Sequence, residues 1–338
     1  MGKKRVVYFD ILNITAALSV IFLHCNGNSF YYIDTLGWKQ AMLVEAACYW
    51  AVPVFLMLSG ANLMTYRSKY TTKQYFLKRF TRTVIPFIAW SLLVAVEKGI
   101  NPLEIGIKEF LSKIFNCTIE GVYWFFIPLF SVYLSMPVLS LLKDNKRILW
   151  YMAGGAFVLN SVLPKLFGYM NMTYNFQLSM MTVTGMLIFP IIGYLFAITD
   201  FGKLQRAVFY ILAIFGLALR YFGTWYLSAR DGTLNNTFYG YTGYCSVFLA
   251  CGVFIFFKYF KPFQKLADCP RACNILSIVS GCSFGIYLMH MTVYRFLERY
   301  LEEYSWEWRL LVPFLIYFVA LAVTFLLKKI PLLKHIVP

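Results

Sequence analysis

The chain has 338 residues, 60% hydrophobic and 14% charged, with a formal net charge of +16 and a mean hydropathy of +0.64. Soluble domains are apolar at nearer one half of their residues, so this composition excludes a soluble globular fold. The basic residues lie in short segments between apolar runs, with no soluble domain to present them, which excludes a nucleic-acid binder and leaves the positive-inside bias of a membrane protein as their cause.

A membrane-spanning helix needs about 20 mostly apolar residues, and ten segments meet or approach that length. They lie near 6–26, 43–65, 84–98, 122–142, 148–164, 180–199, 207–227, 242–260, 275–297 and 309–328. The first follows Lys3-Lys4-Arg5 and is long enough to span, so it reads as a retained helix rather than a cleaved signal. It carries Asp10 near its start and His24 near its far end. About 21 Å of helix separates the two, too far for Asp10 to orient the imidazole. The second span carries Glu45 at its entry and Ser59-Gly60 near its exit, a small pair that permits close backbone approach. The loop Tyr66–Phe87 then supplies six cations; Arg79 and Arg82, three apart, share a face on a regular helix. Glu120 precedes the fourth span, and His290 lies about two-thirds along the ninth. His335, in the tail, is assigned no role.

Charge tests the count. With the N-terminus cytoplasmic, the inner segments hold 21 of the 31 Lys and Arg and 4 of the 15 acids, giving +17 inside and −1 outside. The asymmetry alternates through every loop and predicts an all-α polytopic membrane protein with about ten transmembrane helices and both termini in the cytoplasm. Residues 1–338 read as one transmembrane domain with no separate soluble domain. The eight cysteines lie mostly in apolar runs and lack zinc-ligand spacing, so no metal is expected. Asn116, Asn171 and Asn235 open Asn-x-Ser/Thr triplets in outer loops and need no function there.

An ionisable side chain inside lipid is costly and marks a candidate site. His24 and His290 fall at the same outer depth, as a general base and a second polar group. Glu45 is the candidate partner fixing the tautomer of His24, with Glu120 as the alternative. Arg79 and Arg82, at the inner threshold of the third span, suit a bidentate clamp on phosphate groups. A phosphorylated donor docking inside and an acceptor reacting outside would use both layers.

Five motifs in order resemble the membrane acyltransferase-3 family. They are Phe9-Asp10-Ile11-Leu12 with Ala16-Ala17-Leu18 and His24; Val52-Pro53-Val54-Phe55 with Ser59-Gly60; and Lys78-Arg79-Phe80-Thr81-Arg82 with Pro86. Trp124-Phe125-Phe126 with Tyr133 and Pro137 follows, then Ser283-Phe284-Gly285-Ile286-Tyr287-Leu288-Met289-His290. The resemblance covers nearly the whole chain. It implies O-acylation of surface glycans, usually acetylation, with acetyl-CoA as donor, in a multi-pass bacterial plasma-membrane protein. By that resemblance His24 is the essential histidine, as base or as acyl carrier, and Arg79 and Arg82 contact the donor; Ser59, at the same inner level across from them, is a further donor-side candidate. His290, Trp124 and Tyr287 are candidates for the acceptor side or for packing. Where the family commonly has Arg or Lys, eleven residues before the histidine, this chain has Asn13; Lys3, Lys4 or Arg5 would have to supply that charge. Some relatives carry a further esterase-like domain, and here transfer is expected within the membrane domain or through a separate protein. Two other classes compete: a transporter of a small polar or acylated substrate that uses the histidines for proton coupling, and a non-catalytic sensor or scaffold.

Overall fold

The computed structural model describes residues 5–170 and 172–338; Lys3, Lys4 and Asn171 lie outside them. Among the described residues every regular element is a helix, without a strand. Lipid explains this: it offers no partner for a bare N–H or C=O, so each spanning segment must bond its own backbone. We label the main helical segments α1 (Val7–Cys25), α2 (Leu36–Ser68), α3 (Thr72–Glu97), α4 (Gly121–Leu142), α5 (146–169), α6 (Gly185–Ile198), α7 (Lys203–Asp231), α8 (Tyr244–Tyr259), α9 (Pro270–Glu298) and α10 (Val312–Lys329). Seven of them, α1 to α4, α7, α9 and α10, are long and apolar enough to cross a membrane; α6 and α8 are apolar but shorter. Each of the ten predicted segments overlaps one of these helices. All eight cysteines are free.

Two features of the helices matter for the site. A turn at Tyr49–Trp50 interrupts α2, with Glu45 before it and Ser59 after it. Wider π-helical turns interrupt α3 at Phe80–Val84, α5 at Phe157–Val162 and α7 at Leu219–Gly223. Such a turn inserts an extra residue and rotates everything after it around the helix axis.

The core forms where small residues let backbones meet, the usual basis of helix association in lipid. At the crossing of α2 and α6 two glycines do this reciprocally. A Cβ on Gly60 would lie 1.9 Å from the Pro190 carbonyl oxygen, and one on Gly193 would lie 2.1 Å from that of Met57. Both obstacles are backbone and neither can yield. At the crossing of α9 and α10, Gly285 meets the Thr324 side chain in the same way. Helix α1 is packed on α2, α9 and α10, which makes it the central rod. Beyond α10 the chain turns back under the bundle: the Trp90 indole donates to the Ile336 carbonyl at 3.0 Å, and Val337 is wholly buried.

Gly60→Val is therefore expected to lose the monodisperse, cooperatively melting protein in detergent. Gly154→Ala, where a Cβ meets nothing within 4 Å, is expected to melt at or slightly above the wild-type temperature, because alanine favours helix. Size-exclusion chromatography with thermal challenge reads both.

Candidate functional site

Helices α1 and α9 run side by side in the same direction, and polar contacts tie them at two levels. At the lower level the Asn13 amide donates to the Ser280 carbonyl at 3.0 Å and to its hydroxyl at 3.1 Å. At the upper level the rings of His24 and His290 face each other, with centroids 5.3 Å apart and planes inclined by 33°. Eleven residues on α1 and ten on α9 separate the levels, about 16 Å along each helix, so one register satisfies both. Helix α1 ends just past His24, where the Asn26 amide donates to the Phe22 carbonyl at 2.9 Å and closes the last turn.

The two imidazoles differ. His290 is buried, and its Nδ1 meets the carbonyl of Tyr287, one turn back on its own helix, at 2.6 Å. A carbonyl only accepts, so Nδ1 carries the proton and Nε2 holds the lone pair. That Nε2 has no partner among the described residues. His24 is half-buried and lies opposite.

A cavity of about 680 Å³ opens between α1, α2, α3, α4 and α9, within the range of small-ligand sites. Arg5, Lys69 and Arg79 gather at one end, where α1 begins. Asn13, Ser59 and Ser280 line its length, and Phe125 and Tyr287 close the other end. Tyr287 is the residue whose carbonyl holds His290, so the cavity reaches one helical turn short of the histidine pair. Arg5 forms a two-pronged bond to Asp10, at 2.5 and 2.7 Å. These bonds raise the Arg5 pKa above its ordinary value and keep the guanidinium charged. Arg79 has no carboxylate partner among the described residues; its Nε is buried and unpaired, and its guanidinium lies 5.4 Å from the centre of the Tyr133 ring. An unpaired cation over an aromatic face, opening on a cavity, is suited to an anionic ligand.

Several expectations from the sequence are corrected. Arg79 and Arg82 do not share a face: the π turn Phe80–Val84 rotates Arg82 away from the cavity and into a separate basin with Thr81 and Lys328. Glu45 does not orient His24. Arg220 of α7 takes both its oxygens, Nη2 to Oε1 at 2.5 Å and Nε to Oε2 at 3.1 Å, with both side chains fully buried. Glu120 is likewise engaged, by Lys98 at 3.1 Å and Arg295 at 2.6 Å. Trp124 stacks on Tyr241, Tyr241 on Tyr49, and the Arg220 guanidinium lies 3.3 Å from the centre of the Tyr49 ring. Trp124 is thus one end of an aromatic column anchored on the buried ion pair and does not line the cavity. Ser59 does line it, although its hydroxyl is bonded back to the Phe55 carbonyl at 3.0 Å. Tyr287 lines it too, while its hydroxyl donates to the Val122 carbonyl. His335, given no role from the sequence, lines the second basin.

The sequence reading missed Arg220 and Lys69. An arginine inside the apolar span 207–227 is itself a signal, because a charge buried there needs a carboxylate, and Glu45 was the acid available at that depth. Lys69 had no such signal, being one cation among six in its loop. Among the described residues no group of three or more His, Cys, Asp and Glu side chains is placed to hold a metal.

These features define a multi-pass helical membrane protein whose cavity, cationic at one end, leads toward a facing pair of histidines. Residues 6–328 match the family model described as an acyltransferase domain, and the chain belongs to the acyltransferase 3 family. Its class is thereby that of membrane acyltransferases. Neither a curated protein nor a solved structure matches the chain significantly.

Arg220→Met leaves the Glu45 carboxylate buried without its cation and is expected to destabilise the protein by about 3–5 kcal/mol. Adding Glu45→Leu removes the stranded charge and should recover most of that loss. Equal destabilisation of the single and double variants in thermal denaturation would contradict the pairing.

Proposed function

We propose that the chain is an O-acyltransferase that takes an acetyl group from cytosolic acetyl-CoA and transfers it to a hydroxyl of a cell-surface or lipid-linked glycan. We place it in the plasma membrane with ten spans and both termini in the cytoplasm, as the charge asymmetry of the loops supports. The observation that carries this reading is the cavity joining the cationic end at Arg5, Lys69 and Arg79 to the Tyr287 turn beneath His24 and His290.

In this reading the CoA phosphates rest on Arg79, Lys69 and Arg5, and the last of these supplies the charge that Asn13 lacks. The pantetheine arm follows the cavity past Asn13, Ser59 and Ser280 and brings the thioester carbonyl toward the histidines. The acceptor hydroxyl arrives from the opposite side. His24 takes its proton as general base, and the alkoxide oxygen bonds to the thioester carbon. The C–S bond breaks as the tetrahedral intermediate collapses, and the His24 imidazolium returns the proton to the departing CoA thiolate. The lone pair on His290 Nε2 accepts a hydrogen bond from the acceptor sugar or from the protonated form of His24, which gives the pair a division of labour. Arg82, turned into the other basin, plays no part in holding the donor.

Transfer of radiolabelled acetyl from acetyl-CoA to a polyhydroxyl acceptor by the purified protein tests this. His24→Ala is expected to lower kcat by about 10²–10⁴. Arg79→Ala should raise the acetyl-CoA KM by about tenfold or more, whereas Arg82→Ala should leave it within about twofold. Full turnover in His24→Ala would overturn the base, and equal KM effects of the two arginine variants would overturn the separation of their sites.

A further inference from the structure

The second basin lies at the same end of the bundle as the mouth of the donor cavity and has its own construction. It encloses about 680 Å³ and is lined by Thr81, Arg82, Lys328, Lys334, His335 and Pro338. Three separate stretches of chain deliver its cations. Arg82 comes from the π turn of α3, which rotates it out of the donor cavity. Lys328 comes from the last turn of α10, where its ammonium donates to the Gly281 carbonyl of α9 at 2.6 Å. Lys334 and His335 come from the short turn Leu333–His335. That turn is held in place because the tail folds under the bundle, anchored by the Trp90–Ile336 bond and the buried Val337. Among the described residues no Asp or Glu side chain lines the basin. None of its three permanent cations is in an ion pair among the described residues.

Like charges held together repel one another, and folding the tail onto this surface brings Lys334 toward Arg82 and Lys328 rather than away. An anion occupying the basin would relieve that repulsion. The surroundings say which kind of anion. Phe80 on α3, Phe325 and Leu326 on α10 and Ile330 just beyond it are exposed large apolar side chains, on the same turns that carry the cations. At the end of membrane-spanning helices such side chains face acyl chains, while the basin beside them stands at headgroup level.

We propose that this basin binds the headgroup phosphate of an anionic phospholipid, with the lipid's acyl chains laid against α3 and α10. The phosphate oxygens accept from the Arg82 guanidinium and the Lys334 ammonium, and Lys328 closes the basin from the helix side. The site is separate from the donor cavity and does not depend on the acyl-transfer reading. It touches that cavity through Lys328, bonded to the carbonyl of Gly281, a residue of the cavity wall.

The test is lipid retention by the full chain in mild detergent, counted by native mass spectrometry after exchange into micelles containing phosphatidylglycerol or phosphatidylcholine. The wild type is expected to retain phosphatidylglycerol in preference to phosphatidylcholine. Arg82→Gln with Lys334→Gln, both exposed and so tolerable to the fold, should weaken phosphatidylglycerol retention by about tenfold. Lys73→Gln with Lys203→Gln removes the same charge from exposed positions outside the basin and should leave retention unchanged. Lys334→Arg in the wild-type background should preserve it. Equal retention of the two lipids, or equal loss in the two double variants, would overturn the proposal. So would displacement of the bound lipid by adenosine 3′,5′-bisphosphate or inorganic phosphate at concentrations below those of the lipid, which would assign the basin to a soluble phosphate instead.

Discussion

The parallel contact between α1 and α9 sets the geometry on which everything else depends. Both helices rise 1.5 Å per residue, so a contact at one level dictates the partners at every other. Once the Asn13 amide is bonded to Ser280, His24 must arrive opposite His290. The cavity runs past the lower level because Asn13 and Ser280 are small polar groups that tie the helices without filling the space. A long cation at position 13 would project into the same space. Asn13 makes a helix–helix bond instead, and Arg5, about two helical turns earlier and held in place by Asp10, is the cation that this part of the chain presents to the cavity.

Away from that axis the structure repeatedly converts a costly buried charge into a fixing point. Glu45 and Arg220 are 175 residues apart in sequence and fully buried, and their ion pair ties α2 to α7. Taking two charges out of water is expensive, and the pair is tolerable because its remaining valences are met: Arg220 donates a third bond to the Phe238 carbonyl at 3.0 Å and faces the Tyr49 and Tyr239 rings. Lys98, Glu120, Arg295 and Glu97 form a second network, next to the turn Gly121–Phe125, whose Val122 carbonyl accepts from the Tyr287 hydroxyl of α9. Two of the three π turns carry an arginine, Arg82 and Arg220, and in both cases the irregular turn decides where the guanidinium points.

What could be read from the sequence follows from how local each determinant is. Helix positions, the shared level of the two histidines and the distance from Asp10 to His24 depend on apolar run length and helix rise, which are local. The separation of Arg79 from Arg82 was not legible, because the shared-face rule assumes an unbroken α-helix and nothing in Phe-Thr-Arg-Thr-Val announces a π turn. Glu45 was assigned to the wrong partner for a different reason. Depth alone placed it near His24, whereas the energetics of an unpaired arginine in lipid required a carboxylate for Arg220, and that demand is the stronger of the two. The docking of the tail, which turns His335 from a bystander into part of a basin, rests on contacts with α3 some 240 residues earlier and had no sequence signal.

The account makes the donor end and the histidine end two faces of one membrane-embedded path, and a sided assay tests that most directly. Protein is reconstituted into vesicles in a known orientation, with acetyl-CoA supplied only on the Arg79 side and a membrane-impermeant polyhydroxyl acceptor only on the His24 side. The account predicts acetylated acceptor on the histidine side, with one free CoA thiol released on the arginine side per acetyl transferred. Transfer only when donor and acceptor share a side, or acceptor crossing the membrane with no thiol released, would contradict it.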